Sequence, residues 1–233
     1  MKLNSVSNEE QSYVNKKHMF ILVIISASLY SLISALLMEN KQLWIDSFVL
    51  NIAESTVNER TYQYLSFITK LGSKPVVISI AVMALALLWL KARDYLGMAT
   101  IALVLIGSDQ LYKVLKDIYK RERPIHDPFI DAIGYGFPSG HSTVTMAFYG
   151  ILIYFIWRLT KTSLRRNVII TFFAFYILLV GISRVLLQAH FATDVLAGYL
   201  IGFIYVIICL LLYETIFIKV QKNRHKKNSE LSL

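Results

Sequence analysis

Six long apolar segments restrict this 233-residue chain to a membrane-spanning fold. They cover approximately residues 19–38, 75–90, 95–115, 141–159, 168–187 and 193–218. A helix rises about 1.5 Å per residue, so about 20 residues cross a hydrocarbon core that is about 30 Å thick. Because lipid offers the backbone no hydrogen-bond partners, such segments must be helical. The sequence therefore predicts an all-α, polytopic membrane protein with six transmembrane helices in a bundle.

The segments outside the apolar runs define the expected domain organisation. Residues 1–18 form a polar N-terminal segment, residues 19–218 form the membrane domain, and residues 219–233 form a basic tail that we expect to lack regular structure. Between the first two runs, apolar residues recur at helical spacing at positions 44, 45, 48, 49 and 52. This spacing predicts one or two interfacial helices in the first outer loop, with a loop packed on the bundle as the alternative.

The net charge of +9 is typical of membrane anchoring, and its distribution argues against a nucleic-acid partner. Fourteen of the 24 Lys and Arg residues lie on the side of the membrane that holds both termini. Because basic residues favour the cytoplasmic side, we expect a multi-pass cell-membrane protein with cytoplasmic N- and C-termini. Cys209 is the single cysteine, so an intrachain disulfide and a cysteine metal site are both excluded. Gly198 and Gly202, four residues apart, predict a close helix-packing face.

Three polar clusters flank the apolar runs, at residues 116–124, 138–141 and 183–194. The third run rises about 31 Å before the first cluster, and the fifth run rises about 24 Å before Arg184. All three clusters therefore lie at the same outer membrane boundary. Charged groups are expensive near lipid and usually mark function there, which predicts an active site at the outer face.

Two histidines and a carboxylate in these clusters are candidates for nucleophilic chemistry. His190 and Asp194 are four residues apart, so on a helix they share one face and come into contact. A histidine held by a carboxylate serves as a base or a nucleophile. His141 is a second group that can donate and accept a proton. The alternative for His190, Asp194 and Arg184 is a helix-end salt bridge with a snorkelling arginine.

The remaining polar residues of the clusters are suited to binding phosphate. Lys116, Arg123 and Arg184 are cations that clamp phosphate oxygens, and arginine does so with a planar fork of donors. Ser139 and Gly140 lie where a helix begins, and its backbone N–H groups form an anion site. No acidic cluster suitable for Mg²⁺ occurs at this level. We therefore expect metal-independent chemistry without a cofactor.

The three clusters together resemble the type 2 phosphatidic acid phosphatase superfamily. They read Lys, six residues, Arg-Pro; then Pro-Ser-Gly-His; then Ser-Arg, five residues, His, three residues, Asp. The resemblance implies that His190 attacks phosphorus to form a phosphohistidine, that Asp194 orients it, and that His141 is the general acid and then the base. It assigns phosphate binding to Lys116, Arg123, Ser139, Gly140 and Arg184.

The resemblance implies a lipid phosphatase whose substrate comes from the bilayer, with phosphatidylglycerophosphate expected first. Undecaprenyl pyrophosphate is the alternative, because an outward-facing site meets that lipid without moving it across the bilayer. Two alternatives from other functional classes are a vanadate-dependent haloperoxidase and a non-enzymatic binder or transporter of lipid headgroups. The related haloperoxidases are soluble, whereas this chain is predicted to span the membrane. The roles of Asp109, His126 and Asp127 and the oligomeric state stay open. Asp109, with Gln110 and Lys113, either pairs within the bundle or lines the pocket.

Overall fold

The computed structural model describes residues 15–124, 134–160 and 162–230, without the side chains of residues 224–229. These residues form eight helices. They are α1 (Lys16–Glu39), α2 (Trp44–Thr56), α3 (Glu59–Leu71), α4 (Lys74–Leu87, followed by a π-helical turn over Leu88–Ala92), α5 (Tyr95–Tyr119), α6 (Gly140–Leu159), α7 (Ser163–Leu186) and α8 (Ala192–Glu230).

The predicted all-α membrane bundle is confirmed. Six helices are long and apolar enough to cross a membrane, namely α1, α4 with its final turn, and α5 to α8. The segment between α1 and α4 forms two short helices, α2 and α3, rather than the alternative of a loop packed on the bundle. We refer to the end of the bundle that carries α2 and α3 as the site end.

The prediction for the C-terminal tail was wrong, because α8 continues as a helix through Lys219 to Glu230. Helix nucleation is the costly step, and here the bundle has already fixed the helix upstream. Each further residue of the tail adds one backbone hydrogen bond, and lysine is a good helix former. At the other terminus, α1 already begins at Lys16, capped by the Asn15 side chain. The rest of the predicted N-terminal segment, and His126 and Asp127, lie outside the described residues.

Helix α6 lies at the centre of the bundle and α1 at its edge. In the most apolar window of each helix, 56% of residues are buried in α6 but only 11% in α1. The contact between α6 and α8 is very close, because a Cβ on Gly202 would lie 2.4 Å from the Thr143 carbonyl oxygen. A Cβ on Gly198 would lie 2.7 Å from the Ser139 carbonyl oxygen. The predicted close-packing face is therefore confirmed, and it lies directly beneath the first turn of α6.

Candidate active site

A cavity of about 680 Å³ opens at the site end between α4, α5 and α6. Its polar wall is formed by residues that the sequence predicts for the site, namely Lys116, Arg123, Gly140, His141 and His190. Its apolar wall comes from positions nearer the membrane centre, namely Val77, Ile78, Leu105, Ile106 and Val144. Ile78 and Ile106 are also exposed on the outside of the protein. The cavity therefore joins a cationic end to an apolar end that reaches the lipid-facing surface.

His190 is held by a contact on each of its two ring nitrogens. Its Nδ1 lies 3.4 Å from Asp194 Oδ2, and its Nε2 lies 2.9 Å from the Arg123 guanidinium. Arginine carries only donors, so Nε2 accepts and the ring proton resides on Nδ1, facing the carboxylate. His190 is 1% exposed. This tautomer leaves the Nε2 lone pair directed at the cationic end of the cavity.

The contact between His190 and Asp194 arises from a turn and not from the helical face that the four-residue spacing predicts. Helix α7 ends at Leu186, and Gln188 takes a left-handed conformation (φ 55°) that reverses the chain. The N–H groups of Ala189 and His190 both donate to the Arg184 carbonyl oxygen, at 3.0 and 3.2 Å. The turn fixes His190 before α8 begins, and Asp194 reaches it from the first turn of α8.

Asp194 is itself held by a buried group of side chains that the sequence analysis did not predict. We call this group the Arg121 cluster; it comprises Arg121, Asp46, Thr193 and Asp194. Arg121 donates to Asp194 Oδ1, to Thr193 Oγ1 at 2.8 Å and to Asp46 Oδ2 at 2.6 Å. Its guanidinium also lies 4.2 Å from the centroid of the Phe191 ring. One arginine fork thus joins two carboxylates that come from α2 and α8.

Asp46 closes this cluster from the interfacial helix α2. Its Oδ1 accepts from the Thr193 backbone N–H at 3.0 Å, and the Thr193 hydroxyl lies 2.8 Å from Oδ2. Asp46 is completely buried. The one available sequence signal was an aspartate among the apolar positions of α2, which an exposed helix explains equally well. Arg121 was likewise inconspicuous within a basic segment.

The first turn of α6 presents Ser139, Gly140 and His141. Ser139 is the N-cap, and its hydroxyl accepts from the Ser142 N–H at 3.4 Å. The Ser139 N–H donates to the Asp194 carbonyl oxygen at 2.9 Å. The expectation that this N–H faces a phosphate was therefore wrong, because α8 already uses it. Gly140 and His141 line the cavity, and a Cβ on Gly140 would lie 2.8 Å from the Tyr112 ring.

The three predicted cations approach His190 from different elements. Arg123 donates to the carbonyl oxygens of Gly134 and Ala189, both at 2.8 Å, in addition to its contact with His190. The Lys116 ammonium lies 5.6 Å from the centroid of the Tyr112 ring, at the cavity wall. Arg184 is completely buried, and its guanidinium donates to Thr69 Oγ1 of α3 at 3.0 Å.

These surroundings set the charge state of His190. Burial is the largest cause, and with the nearby charges of Arg123, Arg184 and Lys116 it holds the pKa of His190 well below its ordinary value of 6.5. A neutral imidazole keeps on Nε2 the lone pair that a nucleophile requires, and in this structure that lone pair accepts from Arg123. The arrangement can therefore attack an electrophile that the same cations attract.

A second charged group borders the cavity nearer the membrane centre. We call it the Asp109 cluster; it comprises Asp109, Lys113 and Lys74. Asp109 of α5 lies 2.5 Å from the Lys113 ammonium and 2.9 Å from the Lys74 ammonium of α4. The Tyr112 hydroxyl also donates to Asp109, at 3.1 Å. Asp109, Gln110 and Lys74 line the cavity, so Asp109 both pairs within the bundle and lines the pocket.

Comparison with known proteins gives a family match and close structural likeness. The model of the PAP2 superfamily matches residues 97–218, which contain all three motif clusters. Phosphatidylglycerophosphatase B of Bacillus subtilis (strain 168) is 32% identical over 142 residues, which are 60% of this chain and 69% of that protein.

Two solved structures share the fold. The crystal structure of a transmembrane PAP2-type phosphatidylglycerolphosphate phosphatase from Bacillus subtilis superposes with a TM-score of 0.77 and 26% sequence identity. The match covers 83% of this chain and 96% of that one. LpxE from Aquifex aeolicus superposes with a TM-score of 0.56 at 18% identity, over 75% of this chain and 97% of that one, and shares the fold alone.

Proposed function

Because the chain belongs to the PAP2 superfamily and is a membrane lipid phosphatase, we propose that it hydrolyses the terminal phosphomonoester of phosphatidylglycerophosphate to leave phosphatidylglycerol. The observation that carries the proposal is the single cavity in which His190, His141, Lys116 and Arg123 meet an apolar wall. A lipid phosphate has the matching order of groups, with a charged head and apolar chains. The name of the Bacillus subtilis relative supports the choice of lipid.

His190 is the nucleophile in this mechanism. Its Nε2 lone pair attacks phosphorus while the bond from phosphorus to the glycerol oxygen breaks, which yields a phosphohistidine. Asp194 accepts the Nδ1 proton as a hydrogen bond and stabilises the positive charge that develops on the ring. The contact of Arg123 with Nε2, at 2.9 Å, supports this choice of nitrogen, because a phosphate bound by Arg123 would lie beside the attacking atom.

His141 completes both halves of the reaction. It donates a proton to the departing glycerol oxygen and then removes a proton from the water that attacks the phosphohistidine. The bond between phosphorus and Nε2 breaks in that second step, and inorganic phosphate leaves. The other predicted site residues bind the three equatorial oxygens: Lys116, Arg123 and Arg184 through charge, Gly140 through its N–H and Ser139 through its hydroxyl.

We propose that this chemistry needs no metal ion. The cations named above supply the positive charge that Mg²⁺ supplies in other phosphoryl-transfer enzymes. Within the described ranges, no group of three His, Cys, Asp or Glu side chains is close enough to hold a metal. Loss of activity in EDTA with recovery in Mg²⁺ would contradict this part of the proposal.

The site faces outward in this proposal, with cytoplasmic termini, because the terminal side carries 14 of the 24 basic residues. This orientation favours undecaprenyl pyrophosphate as a second candidate, since that lipid is available to an outward-facing site. A competition assay separates the two. Purified protein receives phosphatidylglycerophosphate, phosphatidic acid and undecaprenyl pyrophosphate together, and the relative kcat/KM values identify the preferred lipid.

Substitution of the two histidines tests the mechanism. His190→Ala and His141→Ala should each abolish phosphate release from a short-chain lipid phosphate in EDTA. His18→Ala is the matched control, because His18 is exposed at the start of α1, and it should keep wild-type activity. Full activity of the His190→Ala protein would exclude the nucleophile, and a wild-type protein that binds these lipids without releasing phosphate would instead identify a headgroup binder.

A further inference from the structure

We infer that the Asp109 cluster is a subsite for a second phosphate group of the lipid, located between the reacting phosphate and the apolar chains. The inference rests on the proposed function, because it extends the same cavity. Asp109, Lys113 and Lys116 lie on one face of α5, since residues three, four and seven apart share a helical face. The Asp109 cluster is therefore next to the catalytic end of the cavity, on the same face of α5 as Lys116.

The order of chemistry along α5 supports this placement. Lys116 is at the catalytic end, and Asp109 lies two helical turns, or about 10 Å, nearer the membrane centre. Leu105 and Ile106 follow in the next turn and belong to the apolar wall. A lipid whose phosphate reaches His190 must pass its next chemical group over the Asp109 cluster before its chains reach the apolar wall.

The charge of the cluster selects an anionic group at that position. Two lysines and one aspartate leave one net positive charge, and the lysine side chains are 59% and 44% exposed. An ammonium group has three N–H donors, and each lysine directs one of them at Asp109. The remaining donors are suited to phosphate oxygens. Lys74 of α4 and Lys116 of α5 both line the cavity, so a phosphate bound between them is held from two sides.

This subsite assigns a substrate class to the cavity. Phosphatidylglycerophosphate carries a phosphodiester beyond its terminal phosphate, and undecaprenyl pyrophosphate carries a second phosphoryl group. Phosphatidic acid carries a single phosphate followed by the uncharged glycerol ester. The Asp109 cluster should therefore favour phosphatidylglycerophosphate, whose two phosphates are separated by a glycerol unit. The two phosphoryl groups of a pyrophosphate share one oxygen and lie too close together to span the two helical turns between Lys116 and Asp109. The alternative is that the ion pair between Lys74 and Asp109 only ties α4 to α5.

The test compares kcat/KM ratios of the full-length protein in detergent micelles, for phosphatidylglycerophosphate against phosphatidic acid with the same acyl chains. Lys74→Gln should lower this ratio about two- to fivefold, the size expected of one partly exposed charge contact. Asp109→Asn removes the repelling carboxylate and should raise the ratio. Lys70→Gln is the control, because Lys70 is an exposed lysine at the end of α3, and it should leave the ratio unchanged.

Opposite shifts for Lys74→Gln and Asp109→Asn support the subsite, whereas equal effects on both lipids would overturn it and leave a structural ion pair. A third arm with undecaprenyl pyrophosphate shows which spacing of the two phosphates the subsite prefers.

Failure of the proposed function appears differently, as absence of phosphate release from every lipid by the wild type. In that case lipid binding tests the subsite, and it is measured as the shift in Tm when each lipid is added. A ligand that binds the folded state raises Tm. Lys74→Gln should reduce the shift for the two-phosphate lipid more than for phosphatidic acid, and equal reductions would overturn the inference.

Discussion

The Arg121 cluster and the Asp109 cluster both pair cationic side chains with carboxylates, but they differ in how far these side chains are buried in the protein. In the Arg121 cluster, the charged side chains are at most 6% exposed. In the Asp109 cluster, the exposed fraction ranges from 23% to 59%. A buried ion pair that loses one partner leaves an uncompensated charge, whereas a partly exposed pair contributes little to stability and is accessible to other partners. The first arrangement is therefore suited to fixing a catalytic group, and the second to exchanging partners with a ligand.

The largest loss of stability that we expect comes from removing the Arg121 guanidinium from the buried Arg121 cluster. Arg121→Met leaves two carboxylates, Asp46 and Asp194, without their shared cation, which should lower the free energy of unfolding by about 3–5 kcal/mol. Arg121→Lys should recover part of that stability but little activity, because an ammonium group cannot reproduce the fork that joins both carboxylates. Unfolding in detergent and kcat measure the two effects, with Arg165→Met on the exposed start of α7 as the control.

A smaller effect should follow from Asp46→Asn, which keeps the shape of the side chain but removes its charge. Asn retains an oxygen for one of the Thr193 donors, so we expect a loss of about 1–3 kcal/mol of unfolding free energy. Because Arg121 then has one charged partner, kcat should fall while KM changes little. Glu54→Gln, on an exposed position of α2, is the matched control. An unchanged kcat in a folded Asp46→Asn protein would show that the cluster does not position Asp194.

The pH profile tests whether burial and cations keep His190 neutral. Its pKa lies well below 6.5, so the nucleophile stays unprotonated until the pH falls below that value. The acid limb of kcat/KM that belongs to His190 should therefore lie below pH 6.5. Arg123→Gln removes a cation that lowers this pKa, so the limb should move to higher pH as overall activity falls. A limb that stays in place or moves to lower pH would contradict the electrostatic explanation.

The smallest change in stability should come from a substitution in the partly exposed Asp109 cluster. Asp109→Asn breaks contacts with two half-exposed lysines, and we expect the free energy of unfolding to change by less than about 1 kcal/mol. Thermal unfolding of the variant beside Arg121→Met measures the contrast directly. Similar losses in the two proteins would show that burial does not distinguish the clusters.

Sequence patterns predicted the parts of this molecule that depend on local composition. Apolar runs gave the six membrane helices, and the motif clusters led to the cavity wall from Lys116 to His190. The Arg121 cluster was missed because it joins residues 75 and 147 positions apart, and no local pattern reports such pairings. The Ser139 N–H was misassigned for the same reason, since its partner is the distant Asp194 carbonyl. The tail was misjudged because its helix depends on the anchored α8 before it.

The close approach of α6 and α8 at Gly198 and Gly202 has a kinetic consequence. These two helices present His141 and Asp194, and at Gly198 and Gly202 their backbones pack with no space for even a Cβ atom between them. In the most apolar stretch of α4 only 17% of the residues are buried, compared with 44% in α8. Of these two helices, α4 is therefore the one that can move aside when a lipid enters the cavity. Changes in bilayer thickness or fluidity should therefore alter how fast substrate is captured and product is discharged, while the rate of bond breaking stays constant.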